Sequence, residues 1–186
     1  MKKLFLIFCL ILCFQLVCCS EEICFDNETY QLKFSAYAPC TNGFGNEYFK
    51  NTENVFNWTK MIGVYGYPNE NSPIKYAQNF SKTIENTENS MLLKLIENKK
   101  VDKAIVSYLV NGGDKDKKFF EYDVVKFEKH PKKGMVMTKY ASKYFFKNDS
   151  EIEKIAQNIK VNNDKYLEML AISQTPTVIE TNKSIK

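Results

Sequence analysis

The sequence predicts an α+β fold, a mostly antiparallel sheet with a three-strand meander and helices packed on one side. Three observations point there. Apolar stretches Ala104 to Val110, Phe119 to Glu128 and Met135 to Phe146 follow one another across short polar turns. A helical pattern opens at Ser72-Pro73, and a longer one follows Asp149-Ser150. The helices lie outside the meander in chain order, which favours segregated layers over a βαβ alternation.

Each element has a local reason. Between Tyr30 and Tyr37, Tyr30, Leu32, Phe34 and Ala36 alternate with Gln31, Lys33 and Ser35, so the period is that of a strand ended by Pro39. Thr41 to Asn51 reads as a loop or a short strand around Glu47-Tyr48-Phe49. Asn54 to Met61 reads as a short helical turn around Trp58, and Ile62 to Tyr67 as a strand stopped by Pro68. Ser72 as N-cap and Pro73 in the first turn start a helix, with Ile74, Ala77, Ser81 and Ile84 at helical spacing. Met91, Leu92, Leu95 and Ile96 after Ser90 predict a second, shorter helix.

Asn111-Gly112-Gly113-Asp114 and His130-Pro131-Lys132-Lys133-Gly134 are turns of the meander. Ser150 with Glu153 three residues on is a capping box. Ile152, Ile155, Ala156, Ile159, Tyr166, Leu167 and Leu170 then continue as one helix, or as two broken near Asn162-Asn163. Residues 21–176 make a single domain, and 177–186 a loose tail.

The first twenty residues have the order of a secretory signal: Lys2 and Lys3, an apolar run from Leu4 to Val17, then small Cys18, Cys19 and Ser20. That run is shorter than the roughly 20 residues of a bilayer-spanning helix. Residues 1–20 are therefore expected to direct export and be removed. Cys24 and Cys40 would remain in an oxidising compartment, where a disulfide between them is the natural reading. Its loop would contribute about 3 kcal/mol in the chain-entropy model.

Composition excludes some classes. All 26 cationic side chains are lysine, so no planar fork is available for bidentate phosphate or guanine contacts. Loss of Lys2 and Lys3 takes the formal charge from +4 to +2, which removes the electrostatic basis for nucleic acid binding. His130 is the single histidine and sits in a lysine-rich turn without an orienting partner nearby, so no catalytic triad, zinc site or other cofactor is expected. Lys115 to Lys133 is the densest cationic segment, readable as a solvated hairpin or as a contact with anionic lipid. Glu47, Glu121 and Asp123 are the acidic residues placed on strands, where a carboxylate pair for hydrolysis could assemble.

Leu16-Val17-Cys18-Cys19 resembles the bacterial lipoprotein box, which implies cleavage after residue 18 and lipidation of Cys19. Ordinary cleavage near Ser20 is the other reading. The segment Glu53-Asn54-Val55-Phe56-Asn57-Trp58-Thr59-Lys60-Met61-Ile62 resembles a set of uncharacterised exported proteins and lipoproteins of Gram-negative bacteria. In them an Asn-Trp-Thr-like segment precedes a hydrophobic strand. The resemblance implies an envelope protein, periplasmic or lipid-anchored, with no assigned activity. The expected function is non-enzymatic binding or a structural role, with an envelope protein or a small ligand as partner. A small secreted hydrolase using a carboxylate pair is the alternative. Trp58, the only tryptophan, either packs into the core beside the first strand or faces a ligand.

Overall fold

The computed structural model describes residues 22–113 and 117–180. The expected signal, the lipidation site Cys19 and the Asp114-Lys115-Asp116 tip lie outside these. Eight strands form one antiparallel sheet: β1 (Glu22–Phe25), β2 (Glu28–Ala38), β3 (Gly43–Phe49), β4 (Lys60–Tyr67), β5 (Ser90–Asn98), β6 (Lys103–Gly113), β7 (Lys118–His130) and β8 (Gly134–Phe146). Helix α1 (Pro73–Glu85) joins β4 to β5, and α2 (Asp149–Ile172) follows β8.

The strand order is β1-β2-β3-β4-β8-β7-β6-β5. Two four-strand meanders therefore meet at the central β4–β8 pair, and α1 carries the chain to the far edge. Of the described residues about 50% are strand and 24% helix, so this is a mainly sheet fold, a curled half-barrel. The curl is visible in one contact. Phe25 on edge strand β1 packs its ring 5.0 Å from that of Tyr140 on β8. In a flat sheet those strands would lie roughly 19 Å apart.

The expected three-strand meander with helices on one side is thus corrected twice. The sheet has eight strands, and the helices cover opposite faces. On β7, Tyr122 and Val124 join the core beneath Ile159, Tyr166, Leu167 and Leu170 of α2. Val125 and Phe127 join the core beneath Ala77 and Ile84 of α1. Neighbouring strand residues point to opposite faces, so β7 is clothed on both. We call the α2 face inner and the α1 face outer.

Local chemistry accounts for the remaining departures. Ser90–Asn98 is an edge strand, not a helix. A bulge between Leu92 and Lys94 turns both Leu92 and Leu95 toward the α1 core and so creates the apparent helical spacing. The β1–β2 hairpin turns through Asp26 (φ 50°) and Asn27 (φ 59°), residue types that tolerate the left-handed region. Residues 54 to 57 form an Asx turn, not a helical one: Asn54 Oδ1 accepts from the amides of Phe56 (2.9 Å) and Asn57 (3.2 Å). Helix α2 is continuous, and its N-cap is Asn148, which accepts from Glu151 N.

Two further expectations change. Cys24 and Cys40 are free, exposed thiols. Cys24 lies opposite Thr29 near the start of β2, and Cys40 lies beyond its far end at Ala38. The intervening strand separates them by roughly 30 Å, against at most about 7 Å between the Cα atoms of a disulfide. Residues 177 to 180, expected to be loose, are held on the inner face. Val178 is buried, and Asn46 exchanges two hydrogen bonds with the backbone of Ile179, at 2.7 and 3.0 Å. Among the described residues no helix is long and apolar enough to cross a membrane.

Candidate functional site

Helix α1 packs mainly over the β5–β7 side of the outer face and reaches β4 where the Tyr76 ring lies 5.5 Å from that of Tyr67. The rest carries a continuous set of aromatic and charged side chains. The Asx turn at Asn54 sends Phe56 outward, 96% exposed, and turns Trp58 inward. Trp58 packs on a small cluster of Phe49, Met61 and Ala141, with its ring 6.3 Å from Phe49. The packing is that of a core residue, here on the Phe49 side of the sheet. Trp58 covers the strand core with one part and stays half-exposed with the other.

Lys143 on β8 is the hinge of the set. Its Nζ lies 3.7 Å from the Trp58 ring centre and 4.9 Å from that of Phe119. Phe119 meets Phe145 edge-on at 5.8 Å, and Lys117 lies 4.8 Å over Phe145. Strand alternation explains the grouping, because 119 on β7 and 143 and 145 on β8 share the outer face. Burial holds the Lys143 ammonium below the ordinary lysine range, against the pull of Glu121 at 3.8 Å.

Behind this strip lies an ionic network. Lys139 Nζ is 3.0 Å from Glu121 Oε1 and 3.0 Å from Asp123 Oδ1. Burial pushes the Asp123 carboxyl up to about 6 despite Lys139. Burial also works to lower Lys139, but Asp123 and the groups around it hold it well above the lysine range. Tyr65 donates to Glu47 Oε1 at 2.9 Å. Its ring lies across Gly63, where a Cβ would come within 2.4 Å of it, so glycine makes the approach possible.

The three acidic residues expected on strands, Glu47, Glu121 and Asp123, thus do share one face. Lys139 sits between Glu121 and Asp123, and Glu47 is tied to Tyr65. Hydrolysis by a carboxylate pair needs open space between the acids for a substrate bond or a water, and here the ammonium fills it.

His130 ends β7, and its Nδ1 accepts from Lys132 N at 3.2 Å, a contact within the β7–β8 turn. Among the described residues no three His, Cys, Asp or Glu side chains are grouped to hold a metal ion. Sequence reasoning missed Lys139 and Lys143. The available signal was their placement two residues either side of Ala141 in an apolar strand, on the face that Glu121 and Asp123 share on the preceding strand.

No curated protein and no solved structure matches the chain. A family model of an uncharacterised family matches residues 19–175, and the chain belongs to that family.

Proposed function

We propose that this is an exported, non-enzymatic binding protein of the cell envelope, periplasmic or lipid-anchored, whose working surface is the outer-face strip. Its partner is an envelope component that presents anionic groups beside apolar surface. The observation that carries the reading is the unbroken series Trp58, Lys143, Phe119, Phe145 and Lys117 on a part of the sheet that neither helix covers. An anionic group can draw either lysine from its ring, and the freed aromatic faces then accept apolar or planar matter. The fully exposed Phe56 extends this surface at no cost to the core. Export rests on the order of residues 1–20.

The hydrolase alternative is less well supported, because Lys139 neutralises the acids it would need. A photocrosslinking amino acid placed at Phe56, and separately at exposed Gln157 on α2, tests the proposal in intact cells. A discrete adduct from position 56 alone supports it, and Lys143→Gln should weaken that adduct. Equal labelling from both positions, or none from position 56, would defeat it.

A further inference from the structure

A second site lies on the inner face, remote from the aromatic strip. Beyond α2 the chain runs back across the sheet as an extended strap from Ser173 to Glu180. The strap is fastened at both ends. Lys126, whose side chain is fully buried, donates to Ser173 O at 2.8 Å and lies 2.6 Å from Glu128 Oε1. Thr175 donates to the same carboxylate. At the other end Val178 packs against Gly66, and Ile179 is held by Asn46. A buried lysine is costly unless paired, and this one is spent on fixing the strap.

Between strap, β1 and the end of α2 a cavity of about 340 Å³ remains. That lies at the lower end of the size range for small-molecule sites. Its apolar walls are Ile23, Phe25, Ile62 and Leu170. Its one buried, unpartnered polar atom is Thr138 Oγ1, on a residue only 3% exposed. A buried hydroxyl without a partner costs about 1–3 kcal/mol, and a ligand oxygen would recover it. No charged side chain lines the cavity, and the nearby Lys126 and Glu128 are already paired with each other. A carboxylate or phosphate would enter without a counter-charge and lose its hydration.

We infer that this cavity is a binding site for a neutral, slender, mainly apolar molecule carrying one hydrogen-bonding oxygen, which meets Thr138. The class is that of a fatty alcohol or a comparable neutral lipid fragment, and the site is independent of the outer-face reading.

The test uses methyl-labelled protein in the form its cells process, titrated with 1-decanol and with decanoate. Saturable shifts should appear at the methyls of Ile23, Ile62 and Leu170 with decanol. Decanoate at neutral pH should bind at least tenfold more weakly. Thr138→Val keeps the shape and removes the hydroxyl, and should lower decanol affinity roughly threefold to tenfold. If that variant misfolds, Ile62→Phe, which fills the cavity, should abolish the shifts at Ile23 and Leu170. No saturable shifts, shifts centred on the outer face, decanoate binding as well as decanol, or undiminished binding by Thr138→Val would each overturn the assignment.

Discussion

The Lys143 ammonium sits 3.7 Å above the centre of the Trp58 ring, on a part of the outer face away from helix α1. A cation so placed is attracted by the ring quadrupole, by about 0.5–1 kcal/mol when exposed and 2 or more when desolvated. Lys143→Met keeps the stem that covers Phe119 and removes the charge. We expect a loss of about 1 kcal/mol in urea unfolding. Emission from Trp58, the single tryptophan, reports the transition. A stability equal to wild type would show that the pair contributes nothing.

Glu28 opens β2 and gathers three partners: Lys50 and Lys60, each at 2.7 Å, and the hydroxyl of fully buried Tyr30 at 2.9 Å. Burial alone would raise its carboxyl, but these hydrogen bonds prevail and lower it from 4.5 to about 2. The folded value lies below the unfolded one, so the stabilisation is complete above pH 4.5 and is lost as pH falls toward 2. The side chain is 31% exposed, and solvent screening reduces the contribution to about 1–2 kcal/mol. Glu28→Gln should lose that amount at pH 7 and show a flatter acid limb below pH 4.5. Parallel acid limbs in chemical denaturation of the two proteins would contradict this.

Cys24 and Cys40 should both react with a thiol reagent in the native protein, since each is exposed and unpaired. Peptide mapping without reduction should find no linkage between them. Replacing both with serine should leave the midpoint of unfolding unchanged to within about 1 °C, because no loop is closed. A Cys24–Cys40 peptide in the map would require β2 to be broken.

How far the sequence revealed this fold depended on what each strand faces. Alternation exposed β2, and polar turns exposed β6 to β8, because these leave local signals. The doubly covered sheet was also written there, in the run Tyr122 to Phe127, where both alternating sets are bulky apart from Asp123 and Lys126. A strand apolar on both faces needs a layer on each. The β5 bulge was not legible, since it changes which residues share a face without changing composition. The outer-face network was half legible. Glu47, Glu121 and Asp123 were placed on strands, but their bridging by Lys139 depends on the β7–β8 register, a non-local property. The distance between Cys24 and Cys40 was hidden for a similar reason: sequence separation bounds a loop's reach but not its extension along a strand.

The asymmetry of the Lys126–Glu128 pair gives the most discriminating prediction. Glu128 has three partners, Lys126 at 2.6 Å, Lys103 at 2.9 Å and Thr175. Burial would raise its carboxyl, yet these partners hold it below the usual carboxylate range. Among the described residues Glu128 is the one counter-charge paired with Lys126, and burial pulls the ammonium below the ordinary lysine value of 10.5 even with that carboxylate in place. Lys126→Met therefore leaves Glu128 paired with Lys103 and should cost about 1–2 kcal/mol, with faster amide exchange in the strap at Ser173 to Val178. Glu128→Gln leaves a buried ammonium without a counter-charge and should cost about 3–5 kcal/mol. In that variant the folded Lys126 releases its proton more readily than the unfolded chain, so stability should recover as pH rises from 7 toward 10. Urea melts of both variants at pH 7 and pH 9.5 measure the two effects. A larger loss for Lys126→Met, or no recovery of Glu128→Gln at pH 9.5, would show that the lysine is not the dependent member of the pair.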